Sequence, residues 1–290
     1  MDKLELKALG KINLGLDVLG RRENGYHDVR MVMQTLYLYD NVTLIKMEEP
    51  GIVIESNLSF LPKDNTNIAW KAAQMLIDEF QLEGGIKIIL DKHIPVSAGM
   101  AGGSTNAAAV LYGMNKMYRL GLTQQELMDR GVKLGADVPY CIMRGTVLAE
   151  GIGEILSPLP PMPKCQILIA KPPISVSTKR VYEKIDSKEI EDHPDIDGLI
   201  AGLEAQDLKK IAACMGNVLE KVTIEDHPVI AEIKQGMMEA GALGAMMSGS
   251  GPTVFGIFDD KNVAKEAYNK IKAQGLARQV YLANVHNVRR

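Results

Sequence analysis

A chain of 290 residues, 46% hydrophobic and 24% charged, has apolar material for a large buried core, and at this length two domains are commoner than one. Its formal net charge of −3 argues against a nucleic-acid binder, which needs a basic face, and it holds no charge run of the kind that marks a disordered tail. Cys141, Cys165 and Cys214 are widely spaced and form no CxxC pair, which argues against a disulfide framework or a zinc centre and predicts a reducing compartment, the cytoplasm.

The chain opens MDKLELKAL, with charges at Asp2, Lys3, Glu5 and Lys7, so neither a secretory leader nor a membrane span is expected. Leu4, Leu6 and Ala8, then Ile12, Leu14, Leu16 and Val18, repeat with period two and predict a strand. Asn24-Gly25 marks a turn, and the stretch through Leu36, Leu38, Val42 and Leu44 again reads as extended. A short strand is expected at 51–56. Ile68, Ala72, Met75, Leu76 and Phe80 then follow helical spacing, and 85–90 returns to alternation.

A helix is predicted from 104 to about 118. Thr123 and Glu126 form a capping box that opens another, expected to stop near Gly135. Residues 145–156 read as glycine-punctuated strand. Four prolines in 157–164 exclude helix and donate nothing to a sheet ladder, so a domain boundary is placed there, giving domains 1–157 and 158–290. The second half offers a strand at 166–170, helices at 178–185, 199–221, 229–240 and 263–274, and a last strand at 279–285. Strands and helices mix without strict alternation, which favours an α+β fold.

The most informative stretch is PVSAGMAGGSTNAAA, residues 95–109, lying between a strand and a helix. Small residues leading into a helix start leave several backbone amides pointing one way, at the positive end of the helix dipole, and this suits phosphate. No lysine follows the glycines, so the loop is not a Walker loop, and its glycines do not fit G-x-G-x-x-G. A tight turn that binds nothing is the plain alternative. A second small-residue loop, SGSGPTVFGIF at 248–258, raises the case for a shared anionic ligand, with a hairpin turn as its alternative.

Three segments together resemble the GHMP kinases: ALGKINLGLDVLGRRENGYH (8–27), the 95–109 loop and MMSGSGPTVFGIF (246–258). Lys11-Ile12-Asn13-Leu14, Asn24-Gly25-Tyr26-His27 and the GADVP segment at 135–139 carry the likeness furthest. They bring it nearest to members that act on a cytidine diphosphate-linked methylerythritol in non-mevalonate isoprenoid synthesis. The resemblance implies a two-domain fold, with a ribosomal-protein-like α/β domain followed by a ferredoxin-like α/β domain. It implies an ATP-dependent phosphotransferase that phosphorylates the 2-hydroxyl of that substrate. Other members of the family, acting on homoserine or mevalonate, and a non-catalytic nucleotide-binding module remain as alternatives. Where the family often carries glycine in the first loop, this chain has Ser97, Ala98 and Ala101, and alanine at a positive φ costs stability.

By the same resemblance Asp137 is the base that takes the hydroxyl proton, and Lys11 its partner, holding the carboxylate ionised and offsetting charge on the migrating group. Read from the residues alone, Asp137 is a helix-terminal or turn aspartate. Lys11 points away from the apolar face of its strand, where a solvated surface lysine is the commoner case. ATP is expected along Pro95, Val96, Ser97, Ala98, Gly99, Met100, Ala101, Gly102 and Gly103, with a hydroxyl from Ser104 or Thr105. Asn65 or Asn67 is a candidate for adenine, either being otherwise an N-cap, and Lys92 for a phosphate. The substrate's cytosine would stack on Tyr26 with Tyr182 on its other face, His27 would read its edge, and Asn13 would bond the sugar alcohol. Ser248, Gly249, Ser250 and Gly251 would close over the substrate. Mg2+ is expected with ATP, but spacing identifies no ligand for it, and nothing in the sequence gives an oligomeric state.

Overall fold

The structure is a computed structural model of the chain, in which residues 1–188, 190 and 192–288 are described. The chain packs as two units that interleave in sequence: residues 1–10, 38–96 and 101–143 form the first, and 11–37, 97–100 and 144–290 the second. Two long strands, β1 (Lys3–Arg21) and β2 (His27–Met47), contribute a segment to each unit.

In the first unit, β3 (Gly51–Ser56) runs parallel to β4 (Gly85–Asp91), which pairs antiparallel with the 41–47 part of β2, and β1 continues the order beyond β2. Helices α1 (Ile68–Phe80) and α2 (Gly102–Tyr118) pack on each other and against the strands, and α3 (Gln124–Gly131) and α4 (Val138–Met143) pack on α2 and on each other. Both α1 and α2 bury alanines, Ala69, Ala72 and Ala73 on one and Ala107, Ala108 and Ala109 on the other, and small side chains let the two helices approach closely. Gly113 brings α2 down onto the strands: a β-carbon there would lie 2.4 Å from the Leu44 side chain and 2.8 Å from that of Leu6.

In the second unit, β5 (Thr146–Glu150) pairs with β2 at Met31–Gln34 and with β6 (Ile155–Pro158). Strand β7 (Gln166–Lys171) and helices α5 (Thr178–Ile185), α6 (Ile196–Glu204) and α7 (Leu208–Cys214) follow. The two-residue strand β8 (Gly216–Asn217) runs parallel to β1 at Gly15 and Leu16. Next come α8 (Glu220–Asp226), α9 (Val229–Glu239), β9 (Gly244–Met247), β10 (Val254–Phe258), α10 (Lys261–Gln274) and β11 (Gln279–Asn284). Strands β7, β9, β10 and β11 make an antiparallel sheet in the order β11-β7-β10-β9, with α9 and α10 packed on it, the ferredoxin-like arrangement that the family resemblance implied. Phe255, Ile257 and Phe258 of β10 are fully buried, as are Ile233 and Met237 of α9 and Ala267 and Ile271 of α10.

Three expectations change. The helix predicted over 199–221 is split into α6, α7 and the start of α8. Gln206 takes a left-handed conformation (φ +53°) after α6, and the Asp207 carboxylate caps α7 by accepting from the amides of Lys209 and Lys210. The helix after Thr123 ends at Gly131 rather than near Gly135, although its capping box is present as predicted. The stretch 145–156 is two strands, β5 and β6, joined by a turn with Gly151 and Gly153 at positive φ.

Candidate active site

Residues 8–18 of β1 are all buried, so both faces of the strand are covered, not one. Side chains two apart share a face, which puts Lys11, Asn13 and Asp17 on the side opposite Ile12, Leu14 and Leu16. All three are nearly inaccessible. Lys11 is only 4% exposed, which removes the surface-lysine alternative. A buried polar face on a central strand is costly unless it is paired. Here the Lys11 ammonium donates to Asn13 Oδ1 at 2.7 Å, and Asn13 Nδ2 lies 3.4 Å from Met31 Sδ.

Both small-residue loops come to this strand within the second unit. The Lys11 backbone amide donates to the Met100 carbonyl at 3.2 Å, and the Asn13 amide donates to Ser248 Oγ at 3.3 Å. The Ser248 hydroxyl in turn donates to the Gly99 carbonyl at 2.9 Å. Gly99 has φ +70°, and a β-carbon on it would lie 2.0 Å from the Ser248 carbonyl oxygen, so only glycine fits there. Lys11, Asn13, Gly99, Met100 and Ser248 are thus brought together.

The first loop is strained as well as tight. Ser97 (φ +49°) and Ala101 (φ +56°) are left-handed although neither is glycine, at a cost of roughly 1–2 kcal/mol each. Ala98, the third departure from glycine, is buried and has no positive φ. Such strain persists only where the surroundings impose it, and it clusters at functional sites. Ala101 is the N-cap of α2 and offers no side-chain cap, so the amides of Gly102, Gly103 and Ser104 at the helix start have no intrahelical acceptor. Thr105 donates its hydroxyl to the Leu9 carbonyl at 2.8 Å, which leaves the half-buried Ser104 as the freer hydroxyl of the pair. Pro95 and Val96 lead from β4 into the loop.

Lys92 is buried, and burial pulls its ammonium below the ordinary lysine range in spite of the adjoining Asp40 carboxylate. It is ion-paired with Asp40 and donates to Asn106 Oδ1 (2.8 Å) and to the Gly102 carbonyl (3.2 Å). An ammonium has three protons, so a direct phosphate contact would require one of these to be given up. Asn67 is the N-cap of α1, accepting from the Ala69 amide, while Asn65 is exposed in the preceding turn.

Asp137 stands just before α4, half-buried, its carbonyl accepting from the Cys141 amide at 3.0 Å. Pro139 is tolerated in the first turn of that helix, where its missing amide has no partner to lose.

On the second unit, Asn24 and Gly25 make the hairpin turn, with Asn24 Oδ1 accepting from the Tyr26 amide at 3.1 Å. Tyr26 is 57% exposed, presenting a free aromatic face. The His27 ring lies 4.8 Å from that of Tyr182 on α5, tilted by 37°, and its Nε2 meets Asp186 Oδ1 at 2.5 Å. Asp186 also pairs with Arg21 at 3.3 Å. Ser250 Oγ is 2.8 Å from Thr178 Oγ1, which ties the second loop to the helix that carries Tyr182. Gly249 and Gly251 both have positive φ, and the Gly251-Pro252 peptide is cis.

Sequence reasoning missed Asn217 in β8. Its Nδ2 donates to the carbonyls of Met247 (2.9 Å) and Gly249 (2.8 Å), and its Oδ1 accepts from the Leu219 amide, so it holds the second loop from beneath. Asp186, Asp40 and Asn106 were missed as well. Asp186 and Asp40 are distant in sequence from the residues they hold, and Asn106, although inside the 95–109 stretch, bonds to the side chains of Lys92 and Asp40, which no local motif marks. Among the described residues, no group of three His, Cys, Asp or Glu side chains could hold a metal ion, and no helix is long and apolar enough to cross a membrane.

This chain belongs to the GHMP family of small-molecule kinases. Its residues 67–145 match the GHMP kinases N terminal domain and residues 199–277 the GHMP kinases C terminal domain. It is 56% identical to the 4-diphosphocytidyl-2-C-methyl-D-erythritol kinase of Lachnospira eligens, over 97% of this chain and 98% of that protein. It is 52% identical to the protein of that name from Lachnoclostridium phytofermentans, over 97% of each. A crystal structure of 4-(cytidine 5'-diphospho)-2C-methyl-D-erythritol kinase superposes with a TM-score of 0.84 at 28% identity, covering 98% of this chain and all of that one. A homoserine kinase from Cytophaga hutchinsonii shares the fold, at 22% identity and a TM-score of 0.78 over 98% of this chain and 95% of that one. Membership of this family implies ATP as the phosphate donor.

Proposed function

We propose that this chain transfers the terminal phosphoryl group of ATP to the 2-hydroxyl of 4-diphosphocytidyl-2-C-methyl-D-erythritol, in the cytoplasm, as a step of non-mevalonate isoprenoid synthesis. The observation that carries the reading is 56% identity, along 97% of the chain, to a kinase of that name. The exposed Tyr26 beside the His27–Tyr182 pair supports it further, since a pyrimidine base needs an aromatic face to stack on and a polar group at its edge. Homoserine and mevalonate carry no base. The two domains of this reading meet at 157/158, between the two matched stretches.

In this reaction the Asp137 carboxylate takes the proton of the 2-hydroxyl. The hydroxyl oxygen attacks the γ-phosphorus, the bond from that phosphorus to the bridging oxygen breaks, and ADP leaves. Lys11 offsets negative charge at the transferring group, and Asn13 orients the sugar alcohol with its neutral amide. The amides from Gly99 to Ser104 hold the phosphates, and Ser248 to Gly251 cover the acceptor. Such a reaction asks the protein mainly for alignment and charge neutralisation. Mg2+ would ride on the nucleotide's phosphates and neutralise part of their charge. It needs only one or two protein oxygens, and the Ser104 hydroxyl at the start of α2 fits that need.

The test is an ADP-release assay with the cytidyl substrate, mevalonate and homoserine as acceptors. ADP formed with the cytidyl substrate alone is the expected result. Turnover of mevalonate or homoserine without it would move the chain to another branch of the family. ATP binding with no ADP on any acceptor would make it a nucleotide-binding module.

A further inference from the structure

Asp40 is fully buried within the long strand β2, and its carboxylate collects four donors. Oδ1 accepts from the backbone amides of His93 (2.7 Å) and Ile94 (2.8 Å). Oδ2 receives the Lys92 ammonium and Asn106 Nδ2, the latter at 2.9 Å. Lys92 then closes the circuit to Asn106 Oδ1 and to the Gly102 carbonyl. Each polar atom of the three side chains therefore has at least one partner, and a buried network paired in this way fixes geometry.

What the network joins gives it a purpose. His93 and Ile94 immediately precede Pro95, where the glycine-rich loop begins. Gly102 and Asn106 lie in the first two turns of α2, where the loop ends. One carboxylate thus fastens both ends of a seven-residue segment, 95–101, that includes two non-glycine residues at positive φ. A loop in that conformation relaxes unless its surroundings over-determine it, and the separation of its ends is the natural place to impose the constraint.

We propose that Asp40, Lys92 and Asn106 form a positioning network that sets the span of the 95–101 loop, so that its amides meet the nucleotide's phosphates without rearrangement. Lys92 serves ATP through the loop and not by touching it. The proposal rests on the reading that this loop binds ATP.

The test uses the full chain. Asp40→Asn alone would strand a buried ammonium and fail to fold for that reason, so the informative variant is Asp40→Asn/Lys92→Met. It removes both charges together while an asparagine Oδ1 still serves His93 and Ile94. Kinetics are measured at a temperature where circular dichroism finds both proteins folded. The ATP KM is expected to rise about tenfold, with the acceptor KM within about twofold of the parent. Adding Ala101→Gly, which lets the loop adopt its conformation without being held, is expected to recover at least half of that rise on a logarithmic scale. An unchanged ATP KM, equal rises in both KM values, or no recovery on adding glycine would each overturn the network's role. Hydrogen exchange of the parent protein with and without ATP separates the two ideas: if ATP leaves the amides of 99–105 unprotected, it is the nucleotide reading of the loop that fails.

Discussion

The Ser248 carbonyl oxygen occupies the space that a β-carbon on Gly99 would need, 2.0 Å from it, and the Ser248 hydroxyl donates back to the Gly99 carbonyl. The two small-residue loops are therefore fitted to each other directly, backbone against backbone, with the Ser248 hydroxyl bridging them. Gly99→Ala must push one loop away from the other. A displacement of about 1 Å at a site of this kind costs about 100-fold in turnover. We expect kcat/KM for ATP and for the acceptor to fall together by about that factor, with the loss read by steady-state kinetics. Normal values for either substrate would mean that the loops do not act as one surface.

Removal of the Asp137 carboxylate should be selective. Asp137→Asn keeps the size of the side chain and its place ahead of α4, so the helix is retained. A positioned general base contributes about 10²–10⁴-fold. We expect kcat to drop by that range while the affinity for ATP, measured by calorimetry, stays within about twofold. Lys11→Met should likewise lower kcat more than ATP affinity. A variant that binds ATP poorly and turns over normally at saturation would reassign Lys11 to the nucleotide.

Asn217 touches only backbone, yet it holds the carbonyls of Met247 and Gly249. Truncation to alanine leaves buried acceptors unsatisfied, at a cost of about 1–3 kcal/mol. Asn217→Ala should lower the melting temperature and raise the acceptor KM more than the ATP KM. Asn217→Asp keeps the bond from Leu219 but loses both donors, so it should reproduce the KM effect. Equal effects on both substrates would argue that Asn217 supports the fold alone.

Burial pushes the Cys165 thiol up to about 12 from its ordinary value of 9.0. The folded state therefore holds a proton that the unfolded chain releases, and stability falls as pH rises from 9 toward 12. By pH 10 the loss from this group alone is on the order of 1 kcal/mol. Thermal melts at pH 8 and pH 10 should separate less for Cys165→Ala than for the parent. The same burial should leave Cys165 unreactive toward iodoacetamide at pH 8 until the protein is unfolded. Rapid labelling in the native state would contradict its enclosure.

Elements with a strong period were legible in the sequence. The helical spacing of Ile68, Ala72, Met75, Leu76 and Phe80 falls within α1, and the Thr123–Glu126 capping box is present as written. Six residues are too few to establish a helical period, which is why α4 was invisible although its neighbour Asp137 stood out. The alternation of Ile12, Leu14 and Leu16 correctly identified a strand but hid the second half of its environment. A period of two says which residues share a face and nothing about whether the other face is covered, so the burial of Lys11 and Asn13 needed the tertiary structure. The loops were legible because glycine records a backbone requirement locally. The residues that hold those loops from behind, Asn217, Asp40 and Asn106, were not, because a hydrogen bond to a group elsewhere in the chain leaves no trace in either segment's own pattern.

The pairing of β1 with β8 also bears on how the chain is made. Gly15 leaves the ribosome about two hundred residues ahead of its partner Gly216. At synthesis rates of about 5–20 residues per second, that strand edge waits about 10–40 s for its neighbour. During that interval the nascent polypeptide carries an incomplete sheet bearing lysine, asparagine and aspartate where the finished protein has an enclosed polar seam. Maturation of this enzyme is consequently a late event, completed only when the final third of the message has been read.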